Sequence, residues 1–178
     1  MAEFTVREAA DADLPAIVDL QNTFLSTTTI EWTDTPHIVL ERADWLHRQQ
    51  SLLNPVLVAI AAGQLVGWCS FSDFRDTTKW PGYRFTVEHT VHVREDQWRN
   101  GVGRVLMTRL FESARSLGKH VMVGAVTGEN EGSIRFHERL GFVEVARMPQ
   151  AGAKFGRWLD LVLLQKQLDE LALPPAID

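Results

Sequence analysis

The sequence predicts an α/β domain of the α+β kind, with a central, mixed, mostly antiparallel sheet flanked by helices. Three observations carry this reading. Apolar runs of period two and apolar positions at helical spacing interleave along the chain, without the strict strand–helix–strand alternation of a parallel sheet. Residues 56–74 hold two apolar runs around Ala62-Gly63, which reads as a hairpin. The 178 residues contain no repeat and no internal linker, so one domain over 1–170 is expected, long enough to bury a core.

Taken in order, residues 4–7 alternate like a short strand. Asp13-Leu14-Pro15 then opens a helix, with an acid at the cap and proline in its first turn. Ile17, Leu20, Gln21, Phe24 and Leu25 mark its face, and the polar cluster at 26–29 is expected to end it. A second helix is expected over 38–50. The hairpin strands follow at 56–61 and 65–74, then a loop at 76–82. A strand over 86–93 precedes a helix over 105–117. A strand at 121–126, a short helix at 132–140 ended by Gly141, and strands at 142–148 and 159–164 complete the set. The tail 171–178, with two prolines, is expected to hang loose.

Composition narrows the function classes. Apolar residues make up 45% and charged residues 23%, ordinary for a globular protein. A net charge of −5 argues against wholesale nucleic-acid binding but allows a local basic pocket. The single cysteine, Cys69, cannot form an intramolecular disulfide and points to a reducing compartment. No stretch resembles a signal peptide or a membrane span, so a cytoplasmic protein is expected.

The segment Gln97-Trp98-Arg99-Asn100-Gly101-Val102-Gly103-Arg104 lies between an expected strand and an expected helix. Glycines let backbone N–H groups approach an anion, and a helix N-terminus adds partial positive charge. No Gly-Lys-Ser/Thr follows, so it is no P-loop, and it lacks the third glycine of a dinucleotide fingerprint. The segment by itself fits either an anion site or a plain glycine-containing connection.

Further segments join it: Thr27-Thr28-Thr29-Ile30, Val87-Glu88-His89-Thr90-Val91-His92-Val93, residues 130–142 from Asn130-Glu131-Gly132-Ser133 through His137 to Gly141-Phe142, and Lys154-Phe155-Gly156-Arg157-Trp158-Leu159-Asp160. In this order they resemble the GNAT acetyltransferase superfamily. Nearly the whole chain is similar to its phosphinothricin and methionine sulfoximine/sulfone acetyltransferase branch. One departure is visible. The superfamily turn reads Gln/Arg-x-x-Gly-x-Gly/Ala, and its first position here is Trp98.

The resemblance implies a GNAT fold, acetyl-CoA as co-substrate, a small amino-acid-like amine as acceptor, direct transfer in a ternary complex, and a homodimer. It implies that Arg99, Asn100, Gly101, Val102, Gly103 and Arg104 hold the CoA pyrophosphate. Backbone at Val91, His92 and Val93, with Asn130 and Ser133, would meet the pantetheine arm. Glu88 would relay the amine proton, and His137 would protonate the leaving thiolate. Thr28, Thr29, Trp32, Arg75, Arg84, Phe85, Thr86, Val87 and Lys154 would line the acceptor site, the arginines toward a carboxylate. Lys154 and its neighbours would come from a dimer partner. His89 and His92 are three apart on a strand and face opposite ways, which disfavours a metal pair, and no metal is expected. Cys69 reads as a core thiol rather than an acyl carrier. Two alternatives stay open: acetylation of another amine (a protein N-terminus, a polyamine or an aminoglycoside), or a non-catalytic acyl-CoA-binding regulatory module.

Overall fold

One sheet with two apolar faces organises the chain. The computed structural model describes residues 4–171 and 173–175, so the expected loose tail lies partly outside the described residues. Seven strands, β1 (Thr5–Glu8), β2 (Val56–Ala61), β3 (Gln64–Asp73), β4 (Thr86–Val93), β5 (Val121–Thr127), β6 (Val143–Lys154) and β7 (Arg157–Gln167), pair in the order β1-β2-β3-β4-β5-β7-β6. Among the described residues only β4 and β5 run parallel; the other neighbours are antiparallel.

Helices α1 (Leu14–Thr23) and α2 (Val39–Ser51) cover one face. Leu14, Ile17, Leu20 and Leu46 pack there on Val56, Val58 and Trp68. Helix α3 (Val102–Ser116) and the short α4 (Glu131–Arg139) cover the other face. On α3 the apolar positions Val102, Leu106, Met107, Leu110, Phe111 and Ala114 recur at helical spacing and are all buried. Each large one contributes roughly 1.5–3 kcal/mol of burial. The pleat separates the two cores: on β3, Trp68 faces α1 and α2, while Cys69 and Phe71 face α3.

Three boundaries differ from the sequence reading. Helix α1 stops at Thr23, ahead of the polar cluster at 26–29, where the Thr23 hydroxyl donates to the Leu20 carbonyl at 2.6 Å. Residues 24–38 are therefore a long loop. Helix α3 starts at Val102, not 105, because Gly101 takes φ +87° and turns the chain straight into the helix. The last hairpin is much longer than 142–148 and 159–164. Pro149 is tolerated inside β6 because β6 is the sheet edge and the proline lies in the stretch between Met148 and Gly152 that has no partner on β7. A register shift between Met148 and Gly152 absorbs the irregular stretch.

Candidate active site

The parallel pair β4–β5 holds together only briefly. Thr86, Val87 and Glu88 pair with Val121, Met122 and Val123, and beyond Glu88 the strands part. From there β4 pairs with β3 alone and β5 with β7 alone, leaving a wedge between them. Ladder bonds alternate along an antiparallel strand. Arg94 N–H donates to the Val66 carbonyl at 2.9 Å, so alternate residues His92, Thr90 and Glu88 direct their backbone groups to β3. His89, Val91 and Val93 turn theirs toward the wedge, although the Val93 carbonyl is already taken by the Trp98 indole, which leaves its N–H. An extended ligand arm can add there as a strand would. This separates His92 from its expected neighbours. Its backbone is spent on β3 and its side chain lies on the α1–α2 face, whereas Val91 and Val93 keep backbone groups toward the wedge.

The glycine turn sits at the mouth of the wedge. Arg99 (φ +66°) and Gly101 (φ +87°) curl the chain so that the first amides of α3, at Val102, Gly103 and Arg104, point outward without helical acceptors. Gly103 allows α3 to approach α4: a β-carbon there would stand 3.1 Å from Phe136 Cζ. Among the described residues Arg99 and Arg104 are exposed and make no ion pair, whereas Arg94 is bound to Asp96 at 2.6 Å. Trp98 does something the sequence did not suggest. Its indole Nε1–H donates to the Val93 carbonyl at 2.8 Å, tying the turn to the end of β4. Amides, helix dipole and two unpaired guanidinium groups are the features that suit an anion.

Across the sheet from α3, β4 presents Glu88, Thr90 and His92. Burial raises the Glu88 carboxyl above its ordinary value, partly opposed by the nearby Arg75 guanidinium. Glu31 stands over the same face on the loop after α1, a residue that sequence reasoning missed and that no motif flags. Its carboxylate meets His92 Nε2 at 3.2 Å, His37 Nε2 at 3.7 Å and Gln21 Nε2 at 3.4 Å. Burial alone would raise Glu31, but these partners outweigh it and hold its pKa at about 2. An anion-binding turn at one end of a wedge and a carboxyl of raised affinity for protons beside it can hold a phosphate-tailed donor and accept a proton from a nucleophile.

Comparison with known proteins agrees with this geometry. The pattern described as "Acetyltransferase (GNAT) family" matches residues 17–142. The chain belongs to the GNAT acetyltransferase family. It is similar to the L-methionine sulfoximine/L-methionine sulfone acetyltransferase of Salmonella typhimurium, 44% identical over 97% of this chain and 99% of that one. The phosphinothricin N-acetyltransferase of Streptomyces viridochromogenes is 32% identical over 96% of this chain and 90% of its own. The Salmonella typhimurium protein yncA, solved with its cofactor acetyl-CoA, superposes with a TM-score of 0.92 at 44% identity, covering 98% of this chain and 99% of that one.

Within this GNAT domain the remaining expected residues fall into three groups. His137 is buried on α4 and stacks on His89 across the narrow end of the wedge. Its Nδ1 lies 2.7 Å from the Ser133 carbonyl, so Nδ1 carries the proton. Nε2 then accepts from His89 Nε2–H at 3.2 Å. Burial lowers both imidazoles. Burial favours the neutral ring, and in this arrangement both His137 nitrogens are engaged, by Ser133 and by His89. Gly124 makes the pair possible, since a β-carbon on it would lie 2.9 Å from His89 Nε2. Asn130 caps α4 by accepting from Ser133 N–H at 3.0 Å, which also orients Ser133.

Loop 24–38 carries the second group. Thr29 donates to Glu129 at 2.6 Å, and Glu129 is clasped by Arg157 through two bonds of 2.7 and 2.9 Å. Trp32 donates to the Thr29 carbonyl at 3.1 Å and lies on Gly152, where a side chain would displace it. The Thr28 hydroxyl donates to the Phe24 carbonyl at 2.7 Å. Lys154 was expected from a partner subunit. Here it is buried in its own chain and donates to the Thr28 and Glu31 carbonyls at 3.0 and 2.6 Å, holding the loop.

The third group lies after the hairpin. Arg75 is exposed above Phe74, 5.1 Å from the ring centroid. Arg84 stacks 4.6 Å over Phe85 and donates to the Pro81 carbonyl at 2.7 Å. Thr86 lies at the closed end of the β4–β5 pair. The Val87 side chain belongs to the α3-side core, away from the Glu88 face, which leaves it no side-chain contact with an acceptor on that face. His89 and His92 do face opposite ways, and among the described residues no group of three His, Cys, Asp or Glu side chains is placed to hold a metal ion. Among the same residues no helix is long and apolar enough to cross a membrane. Cys69 is buried, with its Sγ 3.6 Å from the Leu106 carbonyl, and burial pushes its thiol far up.

Proposed function

We propose that this chain is an acetyl-CoA-dependent N-acetyltransferase whose acceptor is the α-amine of a small amino-acid analogue of the methionine sulfoximine, methionine sulfone or phosphinothricin type. The observation that carries the proposal is the wedge that opens after Glu88 with the glycine turn at its mouth. The turn binds the pyrophosphate through the amides of 102–104 and the charges of Arg99 and Arg104. The pantetheine arm adds along Val91 and Val93, which sets the thioester beside Glu88. Arg75 meets the acceptor's carboxylate.

Glu88 takes a proton from the α-ammonium, directly or through one water. The freed amine attacks the thioester carbonyl, the tetrahedral adduct collapses, and the carbon–sulfur bond breaks to give the amide and CoA thiolate, which is reprotonated from solvent. A carboxyl whose pKa is raised by burial is a better proton acceptor than an exposed one. Cys69 is buried and uncharged, which supports direct transfer over an acyl-enzyme. The relatives named above support the acceptor class, the sulfone-type enzyme being the more similar of the two. Exposed Arg75 disfavours a polycation. We further propose a cytoplasmic homodimer, supported by the lone reduced thiol and by exposed Val143, Val145, Met148, Phe155 and Trp158 along the β6–β7 hairpin.

The test is thiol release from acetyl-CoA with methionine sulfone, methionine sulfoximine, phosphinothricin, polyamines and peptides. Release with an amino-acid analogue is expected. Glu88→Gln should lower kcat by about 100-fold, the low end for a general base. It should also abolish the rise of kcat/KM with pH that accompanies ionisation of Glu88. Binding of acetyl-CoA with no release for any amine would refute the enzyme reading.

A further inference from the structure

Inward from Glu88 the acceptor face opens into a cavity of about 170 Å³. Three residues that line it carry buried polar atoms with no hydrogen-bond partner: Gln21 Oε1, Arg42 Nε and Trp68 Nε1. Gln21 is only 2% exposed and Trp68 only 1%. Buried polar groups are almost always paired, so two donors and one acceptor left open around one cavity ask for an occupant of matching polarity. All three are also held in place. Trp68 stacks on His92 with ring centroids 5.2 Å apart and meets Trp45 edge-on. Gln21 is held through its Nε2 by Glu31. Arg42 donates through a terminal nitrogen to His37 at 3.1 Å.

We propose that this cavity is the subsite for the acceptor's side-chain head group, a tetrahedral sulfone or sulfoximine. Trp68 Nε1–H and Arg42 Nε–H donate to its oxygens, and Gln21 Oε1 accepts from a sulfoximine N–H. This assignment rests on the proposed function and adds the residues that set its selectivity. A thioether offers nothing to the two donors. The Glu31 carboxylate and the Arg42 guanidinium on the same wall carry no net charge together, which suits a neutral, dipolar head group. A site whose buried polar groups are paired only by the right ligand discriminates strongly against an analogue lacking the partner atoms.

The experiment measures kcat/KM for methionine sulfone, methionine sulfoximine and methionine in the wild-type protein, Trp68→Phe and Gln21→Met. Trp68→Phe should lower the sulfone-to-methionine ratio about 10-fold. Gln21→Met should lower the sulfoximine-to-sulfone ratio about 5-fold or more, because only the sulfoximine has an N–H to lose. Variants that scale all three acceptors alike would overturn the assignment. Should Trp68→Phe not fold, the Gln21→Met ratio decides by itself. No thiol release by the wild-type protein with any acceptor would instead strike the proposed function, a result distinct from unchanged ratios in an active enzyme.

Discussion

Replacing Glu31 by glutamine tests how the acceptor loop is held. Glu31 gives up bulk water but gains His92, His37 and Gln21, and its pKa falls from 4.5 to about 2. At about 1.4 kcal/mol per pH unit, such a depression stabilises the fold by about 3 kcal/mol once the carboxyl is ionised. The Glu31 side chain keeps 20% exposure, and solvent screening reduces the figure to roughly 2–3 kcal/mol. Because the folded value is depressed, this stability is present above pH 4.5 and is lost as pH falls toward 2. Glutamine mimics the protonated acid. Urea unfolding at pH 6.5 should therefore find Glu31→Gln about 2–3 kcal/mol less stable than wild type, with the gap shrinking steadily below pH 4.5. Thr28, Thr29 and Trp32 ride on the same loop, so the acceptor KM should rise while the acetyl-CoA KM holds. A gap under 1 kcal/mol at pH 6.5, or one unchanged between pH 6.5 and pH 3, would refute the reasoning.

Three further outcomes follow from the geometry. Gly101→Asp puts a carboxylate and a strained positive φ at the mouth of the anion site, and should raise the acetyl-CoA KM at least 10-fold, measured by steady-state kinetics, with little change in acceptor KM. Gly124→Val drives a side chain into His89 and His137 and should cost about 1–3 kcal/mol in urea unfolding, the usual range for overpacking. Cys69 should resist a thiol-specific chromogenic reagent in the native protein and react fully in urea; rapid native labelling would contradict its burial.

Much of this protein is legible in the sequence because the signals are local. Alternating strands, the 3.6-residue spacing of α3 and the Ala62-Gly63 turn depend on neighbours within a few residues, and the sheet-and-helix architecture followed from them. The glycine turn and Glu88 were visible for the same reason: one strand, one bend and one helix start lie within twenty residues. The edges were less legible. The strand expected over 142–148 runs on to Lys154 because β6 is an edge strand that accommodates Pro149, and Lys154, expected from a partner, lies buried against loop 24–38 of its own chain.

What the sequence determined, then, is the order of elements and the chemistry carried on β4 and the turn after it. What the tertiary structure decided is which groups meet across long separations. Glu31 finds His92, Lys154 grips Thr28 and Glu31, and His137 surrenders both nitrogens to His89 and Ser133. Those encounters depend on strand order and helix placement over tens of residues. They fix protonation states that a residue's type leaves open, because burial and partner charge, not sequence spacing, decide where a proton resides.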